Sequence, residues 1–327
     1  MPNPAAPPAA RLLRVAMPVS DLARLAAFYR DALGFSVLST RTRGGEGFAR
    51  ATATPGAHAD VATLRLGEQH LELERHHTSA RPYPAGSRSQ DLWFQHVAII
   101  VADMDAAHRR LCAAGCTAIT LGGPQRLPES SGGVTAFKFR DPDGHPLELL
   151  QFPAGQEPAP WRDAARSAAD PCLGLDHSAI GVSDAPASAR FYAAALGLAR
   201  THAGVNSGPA QQRLDDAPGA VVDVVAMTPA DAPPHVELLG YRVPADGRPL
   251  PSGSAVADLV ATRLVLETAD LDATATALQA AGVRLVSDGV VDGDEGRTLF
   301  ARDSDGHLLE VKQGRALPEP AKGPRTL

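Results

Sequence analysis

Apolar positions along this chain fall into one recurring order. A short strand-like run comes first, then an acidic residue. A stretch of helical period follows and closes near a glycine, and further strand-like runs come after it, separated by turn residues. From Arg14 to Phe35 the order reads RVAMPVSDLARLAAFYRDALGF; from His177 to Leu198 it reads HSAIGVSDAPASARFYAAALGL. HVAIIVADMDAAHRRLCAAGC, from His96 to Cys116, and RLVLETADLDATATALQAAGV, from Arg263 to Val283, match in the same way. So do FRDPDGHPLELLQF (139–152) and FARDSDGHLLEVKQ (300–313). The members of each pair lie about 160 residues apart, so the chain is a duplicated unit, and each unit divides again.

The acidic residues Asp21, Asp103, Asp184 and Asp270 stand where an N-cap would bond the first helical amides. Gly34, Gly115, Gly197 and Gly282 stand where the helices should stop. DPDG and DSDG are turn signals, and LELLQF and HLELER alternate as half-buried strands do. The pattern predicts an α+β protein of four βαβββ modules, at 10–76, 93–153, 174–242 and 259–314. In sequence they group as one domain at 10–153 and another at 174–314, with a linker at 154–173 and flexible tails at 1–9 and 315–327.

Composition narrows the function. The 327 residues are 44% hydrophobic and 21% charged, as in an ordinary globular protein. A net charge of −6 without a basic run argues against a nucleic-acid surface. No run approaches the roughly 20 apolar residues that span a bilayer. The Pro/Ala-rich start lacks the apolar core of a signal peptide. Cys112, Cys116 and Cys172 are too few and too uneven for a disulfide framework, which makes a reducing cytoplasm the expected compartment. No Gly-rich phosphate loop stands out, so no nucleotide cofactor is expected. The expected partner is a small-molecule substrate, on a monomer or homodimer.

FY-x-x-x-LGF near the first helix and F-x-DPDGH-x-LEL at the end of a module resemble the vicinal-oxygen-chelate superfamily, the group of glyoxalase I, bleomycin-resistance proteins and extradiol dioxygenases. The resemblance covers about 290 residues and is specific for fold rather than activity. It implies that modules pair into two open curved β-barrels with helices outside, each around a divalent-metal position. The family's ligands come from the start of a module's first strand and from a carboxylate on its last. Carried over residue by residue, the first-strand positions are Arg14, His96, His177 and Arg263, and the last-strand positions are Glu72, Glu148, Glu237 and Glu310.

Arg has a fixed charge and no lone pair, so it cannot be a ligand. Pairing in chain order gives each barrel one His, one Arg and two Glu, a poor site twice over. Pairing module two with three, and one with four, separates the sets. His96, Glu148, His177 and Glu237 then form one complete ligand set, suited to Zn, Ni, Co or Fe. Arg14, Glu72, Arg263 and Glu310 form an ion-paired pseudo-site. Cross-pairing is the preferred reading, and chain-order pairing, to which extradiol dioxygenases are similar, stays open.

The implied activity is a metal-dependent lyase or isomerase acting on a small oxygen-chelating substrate through metal-stabilised enediolate chemistry. Glu148 or Glu237 is the candidate base, and pseudosymmetry does not choose between them. One alternative is an Fe(II) ring-cleaving dioxygenase, against which the second Glu counts. Another is a drug-sequestering protein without catalysis, against which 5% aromatic content counts. Substrate selectivity is expected in the irregular middle segments: Asn206, Gln211 and Gln212 in 201–220, the Arg-rich 40–59, and a lid at 125–133. His145 and His307 follow turn glycines and read as structural.

Overall fold

The computed structural model describes residues 10–167, 169–228 and 233–314. The expected tails at 1–9 and 315–327 lie outside the described residues. Module one comprises β1 (Arg11–Pro18), α1 (Leu22–Leu33), β2 (Ser36–Arg43), α2 (Gly45–Ala51), β3 (Ala59–Leu66) and β4 (Gln69–His76). Module two comprises β5 (Gln95–Val101), α3 (Met104–Ala113), β6 (Thr117–Ala118), β7 (Gln125–Arg126), β8 (Thr135–Arg140) and β9 (Pro146–Gln151). The connecting segment then forms α4 (Ala159–Ser167), so it is more than a linker. Module three comprises β10 (Cys172–Gly181), α5 (Ala185–Leu196), β11 (Ala199–Ser207), α6 (Pro209–Asp215), β12 (Val221–Thr228) and β13 (His235–Val243). Module four comprises β14 (Arg263–Thr268), α7 (Leu271–Ala280), β15 (Val291–Gly293), β16 (Gly296–Arg302) and β17 (Leu308–Gln313).

Local chemistry sets the helix ends. Asp21, Asp103, Asp184 and Asp270 each accept a hydrogen bond from the amide three residues on, at 2.8–2.9 Å. This satisfies a donor that the first helical turn leaves free. At the other end of α1, Gly34 takes φ 77°, the left-handed conformation that reverses the chain.

The strands join across the duplication. One sheet runs β15-β16-β17-β14-β1-β4-β3-β2, and the other runs β11-β12-β13-β10-β5-β9-β8-β6, with β7 on β8. Module one therefore meets module four through antiparallel β1 and β14, and module two meets module three through antiparallel β5 and β10. Each sheet is curved and takes one module from each sequence copy.

Strand alternation sorts the faces. Val97 and Ile99 of β5, Leu147 and Leu149 of β9, and Leu264 and Leu266 of β14 join Leu25, Tyr29, Leu111, Tyr192 and Leu278 of the helices in one large apolar core. The intervening residues, His96, Ala98, Glu148 and Arg263 among them, face the other way. The repeated FY and D-x-DGH motifs tie the two sheets together. The Tyr29 hydroxyl donates to Asp141 at 3.2 Å, and that of Tyr192 to Asp303 at 2.9 Å. His145 Nε2 donates to the Leu259 carbonyl at 3.0 Å, and His307 Nε2 to that of Gly181 at 2.7 Å.

Candidate metal centre

The site forms where β5 and β10 cross between their flanking last strands. His96 lies opposite Ala179, and His177 opposite Ala98. Glu148 on β9 lies beside Ala98, and Glu237 on β13 beside Ala179. The two alanines leave room between the longer side chains, so all four polar groups converge on the concave face.

His96 Nε2 is 3.3 Å from Glu148 Oε2, and His177 Nε2 is 3.7 Å from the same oxygen. His177 Nε2 is 3.5 Å from Glu237 Oε2. His96, Glu148 and His177 form the tight group, with ligand atoms mutually within 4.8 Å. Glu237 stands to one side and is the less enclosed carboxylate, its Oε1 3.7 Å from His235 Nε2. A second ligand-spaced group, Asp176, His177 and His235, shares His177.

His177 is oriented from behind. Its Nδ1 donates to Asp176 Oδ2 at 2.9 Å, and Trp161 Nε1 of α4 donates to Asp176 Oδ1 at 2.9 Å. That bond leaves Nε2 facing the carboxylates, where a metal would take the place of its proton. Asp176 reaches His177 because β10 is irregular in register between Leu175 and His177, one extra residue that re-aims a side chain.

Burial and neighbouring charges act against each other here. Burial and the Lys138 ammonium lower the pKa of His96. Burial opposes charge on His177, but Glu237, Asp176 and Glu148 outweigh it and raise the pKa to about 9. Burial disfavours the Glu148 carboxylate, yet His96, Lys138 and His177 hold its pKa below the usual range. Glu237 is likewise disfavoured by burial, and His177 and His235 bring it down to about 2. Both nitrogens of His96 and Nε2 of His177 are buried without a hydrogen-bond partner. Orphaned buried imidazole nitrogens are costly, and a cation between them and the carboxylates would satisfy the lone pairs. The residues present fit a divalent metal.

The group opens into a cavity of about 470 Å³. Asn206 and Gln211 line it, as do Ser130 and Gly132 of the expected lid segment. Gln212 does not: its Oε1 accepts from the Gly219 amide at 3.0 Å. The 201–220 segment is not an irregular loop but β11 followed by α6, and adjacent residues of a helix point in different directions. A wider groove of about 880 Å³ near Phe191, Leu250 and Arg302 includes no residue of either ligand-spaced group found among the described residues.

The other sheet places Arg14, Glu72, Arg263 and Glu310 at the equivalent positions. Arg14 pairs with Glu72 at 2.8 Å, and Arg263 with Glu310 at 2.8 Å. The network is larger than expected. Arg263 also meets Glu74 at 2.6 Å, Arg43 meets Glu74 at 3.0 Å and Glu310 at 2.9 Å, and Arg41 meets Glu72 at 2.8 Å. The Arg41 and Arg43 side chains of the Arg-rich 40–59 segment are bound up in this network and do not line the cavity beside His96 and His177. The alternation of Glu72 and Glu74 along β4 equally suits a solvated pair, but both are buried in this network on one strand face.

The family model of the Glyoxalase/Bleomycin resistance protein/Dioxygenase superfamily matches residues 11–149 and 174–311. Glyoxalase I from Zea mays is a similar solved structure, with TM-score 0.61 and 19% identity, covering 93% of this chain and 92% of that one. A putative dioxygenase from Bacillus subtilis is similar with TM-score 0.57 and 13% identity, covering 94% of this chain and 86% of that one. At these identities the likeness is one of fold. No curated protein matches the sequence significantly.

Proposed function

This chain belongs to the glyoxalase/bleomycin resistance protein/dioxygenase superfamily, and on that premise we propose that it is a metal-dependent lyase or isomerase. One divalent ion would be held by His96, Glu148 and His177, with Glu237 as the fourth and more exposed member of the set. The observation that carries this reading is the convergence of orphaned, buried His96 and His177 nitrogens on two carboxylates. Two imidazoles with carboxylates suit Zn, Ni, Co or Fe.

When bound, the metal supplies Lewis-acid polarisation of two neighbouring substrate oxygens, which acidifies the adjacent C–H. The chain's own residues supply the rest. Asp176 and Trp161 fix the tautomer and direction of His177. Glu148 is held between both imidazoles and is poorly placed to leave them. Glu237 is the candidate base, because it is offset from the tight group and bounded by His235. It takes the proton from the substrate carbon and returns it, the proton shift of enediolate chemistry. Ser130 and Gly132 on one side and Asn206 of β11 on the other wall the cavity.

Deuterium exchange tests this. The metal-loaded protein should exchange the carbon-bound protons of dihydroxyacetone with D2O, followed by NMR. Glu237→Gln should lose the exchange while keeping the metal. Unchanged exchange in that variant would remove Glu237 from the role of base.

One observation supports a second reading. The tight group of two His and one carboxylate is the donor set of Fe(II) oxygenases, with Glu237 already to one side. Oxygen uptake with catechol by the iron-loaded protein, without proton exchange, would replace the first reading with this one. Simple sequestration accounts poorly for a cavity lined by buried titratable groups.

A further inference from the structure

The cavity wall carries a second polar group that the reaction above does not use. Lys138 on β8 lies directly opposite Glu148 on β9, so it enters the same concave face. It is only 3% exposed, and its Nζ donates to Asp215 Oδ1 at 2.7 Å. Asp215, at the end of α6, also accepts from Gln211 Nε2 at 2.7 Å. Lys138, Gln211 and Tyr241 all line the cavity. An ammonium carries three N–H donors. Gln211 Oε1 is buried without a hydrogen-bond partner, and the Tyr241 hydroxyl, which faces Asp215 and Ser89, makes no hydrogen bond of ordinary geometry with either.

The fold does not need this cluster. On the other sheet Phe300 lies opposite Glu310 as Lys138 lies opposite Glu148. The helix equivalent to α6 is α2, of the same seven-residue length, and it ends in Ala51 where α6 ends in Asp215. Phe300 and Ala51 pack in one apolar cluster. Apolar packing at such a place is often as stable as a buried ion pair, or more so. An ion pair kept here, beside unmet donors and an acceptor, calls for a ligand.

We propose that Lys138, Tyr241 and Gln211 form a subsite for a third substrate oxygen. The ligand class is then a compact polyoxygenated molecule. Two neighbouring oxygens serve the metal, and a third, an acceptor of carboxylate or carbonyl type, takes hydrogen bonds from Lys138 and Tyr241. Asp215 balances the Lys138 charge and sets its position. Gln211 Oε1 receives a hydroxyl of the same ligand. This rests on the metal-site reading above and narrows its substrate.

Calorimetry on zinc-loaded protein separates the two. Oxalate presents outward oxygens beyond the chelating pair, and acetohydroxamate does not. Tyr241→Phe should weaken oxalate about 10-fold, the scale of one lost hydrogen bond. Lys138→Met combined with Asp215→Leu, which leaves no unpaired charge, should weaken it about 100-fold, since a charged donor is lost. Acetohydroxamate should change less than about 3-fold in either, with zinc content unchanged. Equal loss of both probes, or no loss of oxalate, overturns the subsite while leaving the metal site standing. A wild-type protein that takes up no zinc overturns both. Should the double variant fail to fold, Tyr241→Phe decides alone.

Discussion

The two sheets place the same strand positions in the same register and fill them with opposite chemistry. Across the first sheet the rows read Glu148, Ala98, His177, His235 and His96, Ala179, Glu237. Across the second they read Glu310, Val265, Arg14, His70 and Arg263, Ala16, Glu72. The carboxylates are kept in both, and what differs is the cation that balances them. In one sheet the balance comes from Arg14, Arg41, Arg43 and Arg263, so the cradle is filled by the chain itself. In the other, imidazoles leave lone pairs unused and a cavity open. The support differs too. Asp176 sits at the strand irregularity behind His177, while Leu13 takes that place behind Arg14. A duplicated cradle thus serves once as a candidate reactive centre and once as a buried ionic core.

Four changes break or sharpen this contrast. Replacing His96 and His177 together by Arg copies the second sheet into the first. Metal uptake, measured on the purified folded variant, should fall by more than the roughly 100-fold that loss of a supporting residue costs. Next, Arg263→Met leaves Glu74 and Glu310, both fully buried, sharing the single guanidinium of Arg43. Denaturant unfolding should show a loss of about 3–5 kcal/mol, with metal binding at His96 unchanged. A loss under about 1 kcal/mol would mean that the ionic core is not structural.

A smaller effect is expected at Asp176→Asn, which keeps the shape but removes the charge behind His177. Metal affinity should drop about 10–100-fold while thermal stability barely moves. The smallest is a matter of pH. Burial would raise the pKa of Glu310, but Arg43 and Arg263 hold it far below the ordinary carboxylate value. Glu74 is lowered in the same way, by Arg263, His76 and Arg43 against burial. Depressed folded values mean stability that is present above the unfolded carboxylate pKa, near 4.5, and lost as pH falls below it toward the folded values. Glu310→Gln should therefore be less stable at pH 7 but lose less between pH 5 and 3, so the two stability curves converge on acidification. Parallel curves would contradict the assignment.

Much of this was legible in the sequence because the repeats align it with itself. Matching His96 to Arg263 and His177 to Arg14 placed each residue at one strand position, and sorting charge suggested which modules share a sheet. The N-cap aspartates and the alternation of LELLQF needed only local rules. Other features depended on tertiary contact. Strict alternation puts Asp176 and His177 on opposite faces, and only the strand irregularity brings them together. Trp161 lay in a stretch read as linker, and its bond to Asp176 depends on a helix packing across β10. Gln211 and Gln212 look alike in a row of polar residues, and only the turn of α6 separates one from the other. Arg43 was one of three arginines in its segment, and nothing local marked it as the partner of Glu310, far along the chain.

The most direct test of the two-sheet account is elemental analysis of untagged protein purified without added metal, beside His177→Ala and Arg14→Ala variants. The account predicts about one Zn, Ni, Co or Fe per chain, lost in His177→Ala and retained in Arg14→Ala. Two metals per chain, or one that survives loss of His177, would contradict it.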